Sequence, residues 1–371
     1  YFPGYLSGGI ARTIFNTAEW LGHEIEFLIV TRDRDLGSEQ PYAGVQRGMW
    51  VTMGNSKVRY LEPDELTLFS LAKIVNKTEH DVLHLNSFFD SVFSIKLLLL
   101  CRLRWIKSRQ VILAPRGEFV AGPLSIKYSK KKIYIELSRF FGFYKGVKWH
   151  ASSPHEAQGI VNAMRMPAAT VNSAIDLPVK NSVALRIQLP VGNELKVVFL
   201  SRLTREKNLD GALRILQRVH QSMQFDIVGP KEDHAYWQEC EALLIRLPPH
   251  VTARYLGPIP PEKVFDCLSK YDLFFLPSHG ENYGHVIAES IAVGTRVLIS
   301  QATPWRNLDE DGIGWDLDLT DHTAFANVLD EQAVLPSKDR VALRESVRRA
   351  AVKRLFNPMA LDQNRLLYSL I

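Results

Sequence analysis

Cysteine is scarce in this chain. Cys101, Cys240 and Cys267 are odd in number and far apart among 371 residues, which excludes a disulfide framework and a cysteine metal cluster and fits a reducing, cytoplasmic setting. Long apolar runs are missing too. With 46% hydrophobic and 23% charged residues the composition is globular, and no uninterrupted apolar stretch approaches the roughly 20 residues of a membrane-spanning helix. No G-x-G-x-x-G stands between a strand and a helix, which disfavours a nicotinamide-dependent oxidoreductase. D-x-D triplets, which can hold a divalent cation, occur at Asp33 and Asp35, Asp309 and Asp311, and Asp316 and Asp318. None follows a convincing strand early in a single-domain pattern, so all three read as surface acids and no metal site is expected.

Acidic residues are nearly absent between Ser94 and His150. Thirteen Lys and Arg face only Glu118 and Glu136 there, so this segment carries +11 of an overall +5 and the rest of the chain −6. Trp105, Tyr128, Tyr134, Phe140, Phe141, Phe143, Tyr144, Trp149 and the run Leu97 to Leu100 are interleaved with those charges. A basic, aromatic-rich helical surface reads as a contact at the headgroup level of an anionic membrane. Nucleic acid is the competing partner, and a solvated basic face over an ordinary core is the third reading.

The length suits two domains of ordinary size, and the second is organised around Tyr271 to Ser300. Leu273 to Leu276 reads as a buried strand, Pro277 to Gly280 as a turn, Gly284 to Val293 as an amphipathic helix capped by Gly294, and Val297 to Ile299 as the next strand. That is the crossover unit from which parallel sheets are built. Glu281 lies where strand hands over to helix and Glu289 follows eight residues later. In continuous helix they would be about 12 Å apart, beyond the roughly 5 to 9.5 Å of a carboxylate pair acting across one glycosidic bond. They suit the two ends of an extended ligand. Between them the backbone N–H groups of Asn282, Tyr283 and Gly284 open the helix, and helix N-termini attract anions. Carboxylate, anion cradle, carboxylate is the layout of a nucleotide sugar.

The stretch H-G-E-N-Y-G-H-V-I-A-E-S-I-A-V-G resembles the E-x7-E signature of retaining glycosyltransferases of the GT-B fold, in the version found in glycosyltransferase family 4. The resemblance implies an α/β fold of two Rossmann-like, doubly wound domains facing across a cleft. It also implies that Glu281 contacts the donor sugar and Glu289 the ribose.

The first domain begins with Pro3, Gly4 and the Gly8-Gly9 pair as a loop, and Ile10 to Leu21 as the helix after it. In a doubly wound sheet such a loop follows a strand, so a first strand of about eight residues is expected before Tyr1. The resemblance implies that Gly8 and Gly9 close over the donor phosphates, where glycine lets backbone approach a ligand closely. Strands are expected at Ile25 to Thr31, Val58 to Leu61, Val82 to Leu85, Val111 to Ala114, Lys148 to Ser152 and Ala169 to Val171. His84 and Asn86, and Pro115-Arg116-Gly117-Glu118, fall at strand ends where open α/β sheets place ligand contacts. His84 reads as a core-edge histidine. The P-R-G triplet resembles a motif of the family branch working on bacterial surface polysaccharides. Arg116 stands where many members have a sugar-contacting histidine, which assigns it a catalytic, acceptor-side part. Ser153 and Glu156 are in capping-box register, and Asn172 to Asp176 stands where the family has N-G-V-D.

Asp176 to Glu194, with Pro178, Pro190 and Gly192, reads as a linker. The second domain opens with a strand, Val197 to Leu200. Arg202 and Lys207 follow it, five residues apart, before a helix starting near Asn208. Two cations beside a helix N-terminus form a diphosphate clamp, and the family counterpart is G-R-L-x-x-x-K-G, with Ser201 and Asn208 replacing its glycines. Gly229, Lys231 and Leu256, at the ends of the next two strands, are candidate base-side residues. Thr303-Pro304-Trp305 and Gly312 to Trp315 match family loops near the donor. The domain limits are expected at 1–176 for the acceptor side, 177–194 for the linker, 195–355 for nucleotide-sugar binding, and 356–371 for a final helix returning to the first domain, with Asn357-Pro358 supplying the break.

The resulting expectation is a metal-independent, retaining hexosyltransferase-type glycosyltransferase. Its substrates would be a UDP- or GDP-linked sugar and a saccharide acceptor, lipid-linked, in bacterial surface polysaccharide biosynthesis. It would work peripherally at the inner face of the cell membrane, with no cofactor and no nucleic-acid partner. The alternative is a non-catalytic membrane-surface binding protein that keeps the fold, although such a module has no need for Arg202, Lys207, Glu281 and Glu289 together.

Overall fold

The computed structural model describes residues 1–4, 8–35, 37–119, 128–180 and 192–369. Most of the expected linker, 181–191, and Lys127 of the basic segment lie outside the described residues. The chain forms two compact units, one of Tyr1, Ile10–Leu177 and Pro358–Ile371, the other of Phe2–Gly9 and Pro178–Asn357. Among the described residues no helix is long and apolar enough to cross a membrane, and Cys101, Cys240 and Cys267 are free thiols.

The first unit starts with helix α1 (Gly9–Leu21), which buries Ala11, Ala18 and Leu21. Strands β1 (Phe27–Arg32), β2 (Trp50–Met53) and β3 (Ser56–Leu61) make a three-stranded sheet in the order β1-β3-β2, with β2 antiparallel to β3. Strand β2 lies outside the expected strands, yet its signal is present: Gly54-Asn55 is a two-residue hairpin loop, and Gly54 takes φ 55°. Helix α2 (Leu68–Lys77) is capped by Thr67. Strands β4 (Val82–Asn86), β5 (Gln110–Ala114), β6 (Lys148–Ala151) and β7 (Val171–Ser173) form a parallel sheet in chain order, with α3 (Leu97–Arg102), α4 (Tyr128–Phe140) and α5 (Pro154–Met164) between them. Ala169 and Thr170, expected inside a strand, lie in a single 3-10 turn (Ala168–Thr170) after Pro167, and pairing starts at Val171.

Alternation along the strands gives this parallel sheet two unlike faces. Leu85, Leu113, Trp149 and Ala151 join Phe88, Leu98 and Ile160 in the main core of the unit. The other face carries Ile112 with His84 and His150, and meets Leu367 and Tyr368 of the last helix. The basic segment divides as well. Tyr144 and Trp149 are core residues stacked around Phe88, not part of an aromatic surface, because β6 carries Trp149 into the sheet interior. Asp33 and Asp35, expected to be surface acids, are buried: Arg34 at 2.8 Å and Arg47 at 3.5 Å balance Asp33 just beyond β1.

In the second unit, β8 (Leu195–Leu200), α6 (Leu209–Leu216), β9 (Met223–Val228), α7 (His234–Leu244), β10 (Val251–Gly257), α8 (Val264–Ser269), β11 (Leu273–Leu276), α9 (His285–Ala292), β12 (Arg296–Ser300) and β13 (Gly314–Leu317) follow in turn, then α10 (His322–Val334) and α11 (Ser337–Leu355). The final helix, α12 (Pro358–Tyr368), belongs to the first unit. The six strands are parallel, in the order β10-β9-β8-β11-β12-β13. Apolar strands such as β11, buried at all four positions, are what a sheet covered on both faces requires. Gly314 and Trp315, expected in a loop, start the edge strand β13. Because the winding direction reverses between β8 and β11, the loops leaving those two strands flank the switch-point crevice where doubly wound sheets bind ligands.

Helix α11 is fastened to the strand-start side of this sheet by Arg344. Its guanidinium donates to the carbonyls of Tyr271 at 2.5 Å and Ser269 at 2.7 Å, and to Thr295 Oγ1 at 3.1 Å; burial pushes its pKa down to about 10. Removing it strands buried carbonyls, each costing about 1–3 kcal/mol. Arg344→Ala should therefore destabilise the second unit by about 3 kcal/mol in urea unfolding, whereas exposed Arg349→Ala should stay within about 0.5 kcal/mol of wild type. Equal stability of the two variants would contradict this anchoring.

Candidate active site

The loop after β8 runs through Arg202 to a short turn, Arg205–Lys207, and ends at Asn208 in the left-handed region, φ 58°. Asparagine tolerates this conformation better than most residues, which explains how it stands where the resembled family has glycine. Its side chain then does two jobs. Oδ1 accepts from Gly211 N at 3.2 Å, capping α6, and Nδ2 donates to Pro277 O at 2.8 Å in the loop after β11. Glu206 O accepts from His279 N at 2.8 Å and from Ser278 Oγ at 3.1 Å. Ser300 Oγ donates to Ser278 O. These bonds join the two loops at the switch point.

Across that seam Lys207 Nζ donates to Glu281 Oε1 at 2.8 Å, with the side chains 10% and 11% exposed. Arg202 stands apart from this pair, its guanidinium 3.1 Å from Glu232. Gly8 and Gly9, which belong to the second unit, reach the same loops: a Cβ on Gly8 would lie 3.1 Å from Arg202 Nε, and one on Gly9 3.3 Å from His285 Cδ2. Gly8, at φ +67°, is thus both left-handed and closely approached. On the β9 side, a Cβ on Gly229 would meet Ser201 O at 1.8 Å, so only glycine lets the β8 and β9 loops touch. Lys231 Nζ lies 3.9 Å from the ring centre of Trp237 and 4.2 Å from that of Tyr255, a cation held by two aromatic faces. Leu256 on β10 is half exposed.

Helix α9 opens at His285, one residue later than expected, behind Gly284 at φ 81°. Glu281 therefore lies in loop, and the continuous-helix spacing between the glutamates does not apply. Glu289 is buried in mid-helix. Trp305 Nε1 donates to Tyr283 O at 2.6 Å, and the Tyr283 ring sits between His285 at 4.8 Å and Trp305 at 5.7 Å. This clasp on the Asn282-Tyr283-Gly284 turn was not read from the sequence, although Thr303-Pro304-Trp305 had marked the loop that supplies it.

Arg116 is in the other unit, at φ 57°. It donates to Asn86 Oδ1 at 2.9 Å and to Asp176 Oδ1 at 3.2 Å, with both charged side chains 5% exposed. Thr13 Oγ1 adds a 2.9 Å bond to Asp176. His84 Nδ1 pairs with Tyr368 Oη at 3.0 Å and His150 Nε2 with Ala174 O at 3.0 Å. Burial, then the His150 and Arg116 charges, hold the His84 pKa well below the usual imidazole value. Burial and Arg116 push His150 down to about 3. Asp176 is raised to about 6, burial outweighing the attraction of Arg116. Arg116 is thus held in a buried polar group with Asn86, Asp176 and Thr13, separate from the hydrogen-bonded His84–Tyr368 pair, and no local pattern in the sequence links it to Asp176.

Residues 184–350 match the family model of glycosyl transferases group 1. No curated protein sequence matches the chain. Among solved structures, a glycosyltransferase from Rickettsia africae is similar with a TM-score of 0.67 at 15% identity, over 98% of this chain and 96% of that one. WaaG, a glycosyltransferase involved in lipopolysaccharide biosynthesis, is similar with a TM-score of 0.64 at 13% identity, over 98% and 96%. HepE from Anabaena, in complex with UDP and glucose, is similar with a TM-score of 0.62 at 15% identity, over 84% of each chain. At these identities the likeness is one of fold, that of GT-B proteins with two Rossmann-like domains.

The seam between the two loops predicts an order of stabilities at one residue. Asn208→Ala loses the cap, the bond to Pro277 O and the tolerance of positive φ, together about 3 kcal/mol. Asn208→Gly recovers the backbone share and Asn208→Asp the cap. Urea unfolding should rank both between wild type and Asn208→Ala. An alanine variant within about 0.5 kcal/mol of wild type would mean that the side chain joins nothing.

Proposed function

We propose, from the match of residues 184–350 to the family model of glycosyl transferases group 1, that this chain is a retaining glycosyltransferase that moves a sugar from a UDP- or GDP-linked donor to a saccharide acceptor. The setting we infer is bacterial surface polysaccharide biosynthesis, such as lipopolysaccharide, capsule or exopolysaccharide, with the acceptor linked to lipid. The observation that carries the donor half of this reading is the Lys207–Glu281 pair at the switch point, 2.8 Å apart and little exposed. A lysine and a glutamate that satisfy each other can separate onto a ligand that offers an anion to one and hydroxyls to the other. The similar HepE structure holds UDP and glucose, a ligand set with both features.

In the proposed reaction the bond between the anomeric carbon and the diphosphate breaks, and the nucleoside diphosphate leaves with the electron pair. Lys207, Arg202 and the α9 N-terminus face that developing charge, and fixed charges aimed at a leaving group lower its barrier. This set of cations and dipoles needs no metal ion to neutralise the phosphates. Gly8 and Gly9 admit backbone close to the phosphates, Glu281 takes the sugar hydroxyls, Glu289 the ribose, and Gly229, Lys231 and Leu256 border the base. Retention is assigned by analogy to a front-face route: the acceptor hydroxyl oxygen bonds the anomeric carbon on the face the diphosphate leaves, and its proton passes to the leaving phosphate. Arg116, held by Asn86 and Asp176, acts as a positioning residue for the Pro115-Arg116-Gly117 turn on the acceptor side. A lipid-linked acceptor puts the enzyme peripherally at the inner face of the cytoplasmic membrane.

Nucleotide release measured with purified protein tests the reading. Lys207→Ala should lose about a hundredfold in turnover, the typical loss for one such contact; retention of half the wild-type rate would contradict it. Calorimetry separates the glutamates. Glu289→Ala should weaken binding of the bare nucleoside diphosphate as well as the nucleotide sugar, whereas Glu281→Ala should leave the bare nucleotide nearly unaffected.

A further inference from the structure

Helix α4 exposes apolar and basic side chains on the side turned away from the core. Its inner side is occupied: Ile135 and Ser138 are buried, Tyr134 Oη lies 2.8 Å from Tyr144 Oη, and Lys131 Nζ lies 5.0 Å from the Phe89 ring centre. Ile133, Leu137 and Phe140 follow one another at intervals of four and three residues, which places them within an arc of about 60°. They are 59%, 52% and 82% exposed, and Phe141 in the turn that follows is 75% exposed. Single exposed apolar residues need no explanation, but a contiguous group of this size marks an interaction surface. Arg102 extends the group. It donates to Phe143 O at 2.8 Å and to Lys145 O, tying the loop with exposed Leu103 and Trp105 to the same turn.

The charge around this stripe has one sign. Lys130, Lys132 and Lys145 are exposed beside it. Glu136, the only acid within α4, is already answered by Arg139 at 2.9 Å and Arg165 at 3.5 Å. We propose that this face of α4 and the turn after it is a docking surface for an anionic lipid bilayer. Ile133, Leu137, Phe140 and Phe141 enter the boundary between headgroups and acyl chains, and the three lysines meet lipid phosphates, their stems lying along apolar surface. A nucleic-acid surface would put cations at its centre, whereas here the centre is apolar and the cations flank it. A second copy of the chain would bring like-charged flanks together. The inference rests on the lipid-linked acceptor reading for its purpose, but the contact itself does not depend on glycosyl transfer.

The test is co-sedimentation of the full chain with vesicles of phosphatidylcholine alone and with added phosphatidylglycerol, across a salt series. Wild type should bind the anionic vesicles and bind more weakly as salt rises. Lys130→Glu with Lys132→Glu should lower the partition coefficient at least about tenfold at low salt. Phe140→Ser with Phe141→Ser should lower it comparably and remove the binding that resists salt, while Phe69→Ser, at an apolar residue 72% exposed on α2, should change nothing. The proposal is overturned if the double serine variant binds as wild type does, if neutral and anionic vesicles bind equally or not at all, or if the same residues prove to drive self-association or binding of RNA in place of lipid. Nucleotide release read in parallel separates the two claims. Release without vesicle binding sinks the docking surface alone, and binding without release upholds it while sinking the transferase reading.

Discussion

A buried ion pair that spans two loops is the constraint on which the second unit turns. Lys207 and Glu281 sit 2.8 Å apart with about a tenth of each side chain exposed. Taking both charges out of water is costly, and their attraction repays it only when the geometry is held. The holding is done by Asn208 Nδ2 on Pro277 O, by His279 N and Ser278 Oγ on Glu206 O, and by Ser300 Oγ on Ser278 O. Each of these bonds crosses or supports the seam between the β8 and β11 loops. The seam exists because the winding of the sheet reverses between those strands. A pair that is bonded but incompletely buried can exchange one partner for a ligand, which is what a donor phosphate beside Lys207 and a sugar hydroxyl beside Glu281 would ask of it.

The first unit solves a different problem with the same materials. Its parallel sheet packs aromatic and aliphatic side chains on one face, yet the other carries His84 and His150 against Tyr368, with Arg116 and Asp176 alongside. Burial keeps both imidazoles neutral and lifts Asp176 toward neutrality. Its bonds to Asn86 and Asp176 connect the end of β4 to the segment after β7. These bonds hold the Pro115-Arg116-Gly117 turn, while Tyr368 of the last helix bonds His84 on the same face of the sheet.

Much of this was legible in the sequence, for identifiable reasons. Strand β11 was read to the residue because four consecutive apolar positions bounded by Asp272 and Pro277 admit little else, and Gly294 marked the end of the crossover helix. Arg202, Lys207 and Glu281 were picked out by type and spacing, and the structure brings their loops together. What stayed hidden depended on contacts remote in sequence. Asp176 and Arg116 are sixty residues apart, the Trp305 clasp on Tyr283 is invisible to any local pattern, and the burial of Asp33 draws on Arg47 from a later loop as well as on its neighbour Arg34. Strand β2 was missed for a local reason, since four residues after a glycine-rich stretch give too short an alternation to register. In the basic segment, composition located the charge but could not tell Trp149 in the core from Phe140 on the surface.

The central claim, that the β8 and β11 loops receive a nucleoside diphosphate, is tested most directly by thermal melting with matched nucleotides. A ligand present at 100 times its dissociation constant adds about 2.7 kcal/mol to the state that binds it. UDP or GDP should therefore raise the melting temperature by several degrees, and the corresponding monophosphate, which lacks the second phosphate that Lys207 and Arg202 would hold, should raise it much less. Equal shifts with mono- and diphosphates, or no shift with either diphosphate, would contradict the account.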